Sequence, residues 1–195
     1  MSQLAQLFDE TLATETASVR KHARDRARLA CREGCNACCH IPLAVTALEA
    51  IAVAAAVRSD APLVAHVRLA GPVVDLAGPA RRWQQRIACA LLQDGRCAAY
   101  AARPLPCRSY SSFDAGRCDD ALQRGDRDAQ LTVPLWTLPH AFAATIRNAI
   151  RSACAAEGLE DAHVELSGAV AAILSDSGRV SRWLSGERVF AANQP

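Results

Sequence analysis

Cys31-Arg-Glu-Gly-Cys35-Asn-Ala-Cys38-Cys39-His40 places four cysteines in nine residues, spaced C-x3-C-x2-C-C. A second group follows as Cys89, Cys97, Cys107 and Cys118. A packed core gains nothing from two neighbouring cysteines, and Cys38 and Cys39 are expected to point in different directions on almost any backbone. Crowded thiols instead suit thiolate chemistry: a metal ion, an iron–sulfur cluster or disulfides. The rest of the chain then reads as a helical scaffold that holds the two groups together.

Composition agrees with that scaffold. The chain has 195 residues, long enough for a core of its own. Half of it is apolar but only 5% aromatic, and its many alanines favour helices that approach closely. Lys21 is the only lysine, and the formal net charge is just +2, so bulk electrostatics gives no reason to expect nucleic acid or an anionic membrane. The Arg-rich run from Arg20 to Arg32 is broken by Asp25 and flanked by Glu33, which fits a solvated helix face. No apolar run reaches the ~18 residues of a membrane span, and acidic Asp9, Glu10 and Glu15 do not suit a signal peptide. The expectation is a cytoplasmic protein, where clustered thiols bind metal more often than they form disulfides. Nine cysteines also cannot all pair.

Taken in order, Ser2–Ala30 predicts a helix, with Leu4, Leu7, Phe8 and Leu12 on one buried face and a thinner stripe of Val19, Ala23, Ala27 and Leu29 beyond. Ile41-Pro42-Leu43 should be extended. Thr46-Ala-Leu-Glu49 is a capping box opening a helix to about Arg58. Asp60-Ala61-Pro62 restarts a short helix, which Gly71-Pro72 and Gly78-Pro79 should break into pieces. Ala80–Ala88 then reads as helix, with Trp83 and Ile87 on one side. Asp94-Gly95 is the favoured pair for a type I′ turn, predicting a small hairpin with Cys89 and Cys97 at its mouth. Two prolines in Arg103-Pro-Leu-Pro106-Cys107-Arg108 argue against regular helix there. Ser111–Gly116 reads as loop, and Gly125–Asp128 as a polar turn. A long helix over Pro139–Ala156 should bury Phe142, Ile146, Ala149, Ile150 and Ala153, with Gly158 beyond its end. Short helices are expected at Gly168–Leu174 and Val180–Leu184, and a disordered tail at Ala191–Pro195. The fold class is mainly α: one irregular helical domain with a cysteine-rich loop centre over about 30–120, one small β-hairpin and a helical C-terminal part over about 135–190.

Zinc in structural sites takes four ligands, commonly thiolates with or without an imidazole. Iron–sulfur clusters use the same short spacings plus a remote cysteine, so spacing signals metal without choosing it. Arg32, Arg96, Arg108 and Arg117 each adjoin one of the eight cysteines, and guanidinium groups favour thiolate and offset an anionic all-thiolate site. That leans toward an iron–sulfur cluster. His40 reads as a polar residue at the site's edge, while His22, His66, His140 and His163 are scattered singly. Cys154, alone in a helix, reads as a small buried hydrophobe. Nucleophile elbow, Walker loop and dinucleotide fingerprint are all missing.

The two cysteine groups, the hairpin Cys89…Gly95-Arg-Cys97 and the element Tyr100-x2-Arg103-Pro104-x2-Cys107-Arg108 together resemble the CxxCxxCC, or YkgJ-type, cysteine cluster proteins. The resemblance spans roughly Ala30–Asp120 and departs at Cys31-x3-Cys35, where the family's name implies two intervening residues. It implies a zinc- or iron-chelating domain and nominates Cys31, Cys35, Cys38, Cys39, Cys89, Cys97, Cys107 and Cys118 as ligands. The expected cofactor is an iron–sulfur cluster, [4Fe–4S] in type, or zinc. Arg103 and Arg108 are expected beside it, donating hydrogen bonds to sulfur or to backbone near Cys107. The family is said to include a flagellin lysine methylase that relies on a [4Fe–4S] cluster. Nothing in this chain identifiably supplies its substrate or methyl-donor site, so that activity does not carry over.

Overall fold

The computed structural model describes residues 2–22, 29–125 and 127–190. Most of the Arg-rich run, the stripe residues Ala23 and Ala27 and the tail 191–195 lie outside these residues, as do the side chains of Ser2, Leu4, Arg127 and residues 15–22.

Two short strand-to-helix units form the centre of the fold. In the first, β1 (Ala44–Thr46) runs directly into α2 (Ala47–Val57); in the second, β4 (His163–Glu165) runs into α8 (Leu166–Ser175). The strands pair antiparallel, Ala44 opposite Glu165, Val45 opposite Val164 and Thr46 opposite His163, so the two helices leave from opposite ends of this short ladder. The predicted capping box is present: Thr46 Oγ1 accepts from the Glu49 amide and Glu49 accepts from the Thr46 amide. Glu165 caps α8 likewise, accepting from the Gly168 amide at 2.9 Å. Against these units pack α3 (Ala61–Gln84) and α7 (Thr137–Ala156), while α1 (Ser2–His22) contributes Phe8. Val45, Ala50, Val53, Leu63, Val67, Leu166, Val170 and Trp183 are buried in this main core. Trp183 comes from α9 (Arg179–Leu184).

α3 is longer than predicted. Gly71-Pro72 does not break it: Pro72 is exposed, so water can serve the carbonyl a proline leaves without a donor. The real kink is at Gly78, whose φ of 67° and ψ of 171° suit glycine, and Pro79 restarts the helix. α3 then ends at Gln84 instead of reaching Ala88. The Ile87 amide bonds Arg82 O and the Arg86 amide bonds Trp83 O, with Arg86 left-handed at φ 54°, a Schellman closure. Trp83 and Ile87 therefore part company, Trp83 entering a second apolar cluster and Ile87 the main one.

Close helix packing uses Gly71. A Cβ there would lie 2.5 Å from both Ala171 Cβ and Ser167 O on α8. Gly71→Ala is expected to force α3 and α8 apart and cost about 1–3 kcal/mol. An unchanged urea midpoint would show that the two helices do not depend on this contact.

The second cluster joins Ala37, Trp83, Ala121, Leu122, Ala129 and Val133. Ala121 and Leu122 lie on α5 (Ala115–Arg124), and Ala129 on α6 (Arg127–Leu131). Between the clusters lies the cysteine-rich centre. Its predicted hairpin forms, with β2 (Leu92–Gln93) paired to β3 (Arg96–Cys97) and Gln93 opposite Arg96, but Cys97 lies opposite Leu92 and Cys89 stands before the strand instead of facing Cys97 at the mouth. Asp94 and Gly95 have φ of 48° and 76°, as a type I′ turn requires. The proline-rich element forms a short helix after all, α4 (Leu105–Ser109). Pro104 precedes it and Pro106 sits in its first turn, where no intrahelical N–H is needed. The mainly helical fold class is as predicted: the described residues hold nine helices and two two-stranded sheets.

Two predicted faces and one loop boundary need correction. Leu7 is 58% exposed beside buried Phe8. On α7 the buried residues are Pro139, Ala143, Ile150 and Cys154, while Phe142, Ala149 and Ala153 are exposed. The Ser111–Gly116 loop ends early, because Asp114 accepts from the Arg117 amide and opens α5.

Candidate metal centre

Four segments deliver cysteines to one place. Cys35, Cys38 and Cys39 come from a loop that tightens into a 3-10 turn at Ala37–His40. Cys89 follows the end of α3, Cys97 ends the hairpin and Cys107 sits in α4. These six line one largely apolar pocket of about 80 Å³, together with Leu43, Leu91, Pro104, Pro106, Tyr110 and Leu166. Its walls are tied together by backbone: the Cys89 amide bonds Cys39 O at 2.8 Å, and the Ala98 amide bonds Leu91 O at 2.9 Å. Cys31 and Cys118 stand outside that lining but share Ser112. The Ser112 amide donates to Cys31 Sγ at 3.1 Å, and its side chain hydrogen-bonds Cys118. All nine cysteines are free thiols.

The sulfurs meet backbone donors in a repeated way. Cys35 accepts from the amide of Ala37, Cys89 from Leu91 and Cys97 from Ala99, each two residues on. Such N–H···S bonds favour the charged thiolate that binds metal. Without metal, burial prevails: it pushes the thiols of Cys31, Cys35, Cys89, Cys97 and Cys118 up, and Cys107 well up. Loading a metal would therefore release protons. Contrary to expectation, adjacent Cys38 and Cys39 both line the pocket from the 3-10 turn, and their interaction lowers the Cys38 pKa and raises that of Cys39.

Two arginines line the pocket, half-buried Arg103 and buried Arg82. Arg103 lines it, with its guanidinium carbon 3.6 Å from the Tyr100 ring centroid and Nε donating to Tyr100 O at 3.0 Å. From there its charge favours thiolate at Cys31, Cys38, Cys97 and Cys107. Arg108 turns away from the sulfurs. It pairs with Asp9 and donates to the carbonyls of Ala101 and Arg103, so it braces the chain leading to Cys107. Sequence reasoning missed Arg82, only 1% exposed, which pairs with Glu165 at 2.7 Å and points Nη2 at Cys39 O, 3.5 Å away. No local spacing marks Arg82, because its partner lies in β4. His40 keeps to the edge, with Nδ1 3.4 Å from Ala37 O. Cys154 packs in the main core, apart from the site.

Among the described residues, no three Cys, His, Asp or Glu side chains are already gathered closely enough to hold an ion. Binding would have to draw the sulfurs together. The donor set itself fits: thiolates in an apolar pocket, with backbone N–H donors and guanidinium charge nearby, suit zinc or an iron–sulfur cluster and not a hard oxygen-seeking cation.

A helical scaffold that converges free thiols on one pocket defines a cysteine-cluster domain. A family model, CxxCxxCC, described as a "putative zinc- or iron-chelating domain", matches residues 30–130, and the chain belongs to that family. No curated protein and no solved structure matches it. Among the described residues no helix is long and apolar enough to cross a membrane.

Proposed function

We propose that the chain binds a metal centre through Cys31, Cys35, Cys38, Cys39, Cys89, Cys97, Cys107 and Cys118. We further propose that this centre is an iron–sulfur cluster with a redox or electron-transfer role. The observation that carries this reading is the pocket where six of these sulfurs converge and where backbone amides bond Cys35, Cys89 and Cys97. A bound cluster would supply one-electron chemistry. The chain's own residues would hold it, shield it with Leu43, Leu91 and Leu166, and offset its negative charge through Arg103 and Arg82. A reducing cytoplasm goes with this function, since it keeps the thiols available. The exposure of Cys31 favours a second reading, in which zinc is structural or a transient cargo, because a zinc site has no redox chemistry to shield.

Anaerobic purification followed by an absorption spectrum and assays for iron, zinc and sulfide separates these. The expected result is brown protein with a broad visible band, iron and acid-labile sulfide. Colourless protein with stoichiometric zinc would overturn electron transfer and leave the zinc reading. Protein that takes up neither metal would overturn metal binding altogether.

A further inference from the structure

Resting on that metal-binding reading, we propose that the eight cysteines build two centres: an inner one from Cys39, Cys89, Cys97 and Cys107, and an outer one from Cys31, Cys35, Cys38 and Cys118. They meet at the Cys38–Cys39 peptide.

The two sets adjoin, since Cys35 and Cys38 line the same pocket as the inner four, but they rest on different parts of the fold. Cys89 and Cys97 pack against the main core, whereas Cys118 packs against the second cluster, which also contains Ala37 beside Cys38. Different polar residues organise them. On the inner side Ser167 of α8 accepts from the Ala90 amide at 3.2 Å and lies 3.5 Å from Cys89 Sγ, while Cys39 O receives the Cys89 amide. On the outer side Ser112 serves both Cys31 and Cys118, and its carbonyl accepts from the Ala30 amide at 2.9 Å, fixing the approach to Cys31. Cys39, Cys89, Cys97 and Cys107 all line the pocket, Cys31 and Cys118 stand outside it, and Cys35 and Cys38 line it from the same loop that leads on from Cys31.

Coordination number points to the same division. Four thiolates complete a zinc ion or a cluster, so a single centre would leave four of the eight clustered thiols without metal. A tight turn carrying adjacent cysteines gives each centre one ligand from the same loop. Arg103, within reach of Cys31, Cys38, Cys97 and Cys107, then serves both centres.

The test uses the full chain loaded anaerobically with cadmium as an NMR-active stand-in, read by cadmium NMR and by metal per chain. Wild type is expected to give two all-thiolate resonances and two equivalents. Cys107→Ser and Cys97→Ser should each remove the same resonance and about halve the metal. Cys118→Ser and Cys31→Ser should remove the other, and Cys154→Ser should leave both. Circular dichroism checks that each variant stays helical, and using two variants per centre guards against a single misfolded one. One resonance in wild type, or any single substitution that empties a helical chain, would overturn the two-centre division while metal binding stands. Wild type that takes up no metal would overturn the metal-binding reading and the division together.

Discussion

Arg82→Met is expected to destabilise the metal-free protein by about 3–5 kcal/mol near neutral pH, because it leaves a buried partner charge unpaired. The Arg82 guanidinium is sealed between α3 and β4, 2.7 Å from Glu165. The two residues form part of the wall of the cysteine pocket and also of a separate cavity of about 600 Å³ on its far side. Burial pushes the Glu165 carboxyl up; Arg82 and the Gly168 amide pull it back, and Asp75 adds to the rise. Because its folded pKa lies above its unfolded one, the folded chain keeps a proton that the unfolded chain has released. Its contribution to stability therefore falls as pH rises from the ordinary carboxylate range through the folded pKa. Without Arg82 the rise is larger, so the variant should lose more stability near neutral pH than in mild acid, where protonated Glu165 needs no cation. Urea unfolding at both pH values checks this, with metal absent so that binding does not contribute. Equal losses at the two pH values would mean that Arg82 acts through packing alone. The double variant Arg82→Met/Glu165→Gln should recover much of the loss, since it removes both charges.

Arg82 also shows where sequence reading stops. The local readings that hold are the Thr46–Glu49 capping box, the Asp94-Gly95 turn and the helices of α8 and α9, each set by residues within a few positions of one another. What depends on distant partners was not legible. β1 and β4 have three residues each, too few to show an alternating pattern, and neither is a strand without the other. The buried face of α7 was misplaced because an alanine-rich helix offers several nearly equal apolar faces, and only its neighbours choose among them. Gly71-Pro72 looked like a break because the sequence does not say that Pro72 faces water.

The site divides along the same line. Cysteine spacing was enough to nominate eight residues, and six of them line one pocket. Spacing could not show that Ser112 would join Cys31 to Cys118, or that a 3-10 turn would bring both Cys38 and Cys39 to the same pocket. Arg103 and Arg108 were nominated alike from one short element. Tyr100 holds Arg103 toward the sulfurs, while Asp9 draws Arg108 the other way. Asp9 lies on α1, and nothing near Arg108 in the sequence announces it.

Glu49→Ala is the other substitution expected to cost most, again about 3–5 kcal/mol, because it strips partners from several buried donors at once. Glu49 is 1% exposed and bonds three parts of the fold. Its Oε2 accepts from the Thr46 amide at 2.8 Å and Thr46 Oγ1 at 3.0 Å. Its Oε1 accepts from the Leu105 amide at 2.9 Å, and Arg147 of α7 stands 3.5 Å away. Leu105 opens α4, which lacks a side-chain cap from its own preceding residue, Pro104. Glu49 thus caps its own helix and, from a distance, the helix that carries Cys107. Thr46→Ala removes only the local half and should cost about 1 kcal/mol. Glu49→Gln keeps one acceptor oxygen and the shape but loses the charge facing Arg147, so it should fall between the two. Amide exchange separates the roles. In Glu49→Ala the Leu105 amide should exchange faster and Cys107 should react faster with a thiol probe, whereas Thr46→Ala should leave both near their wild-type rates. If Glu49→Ala lowers stability no more than Thr46→Ala does, the carboxylate is only a local cap and the position of Cys107 is set by other contacts.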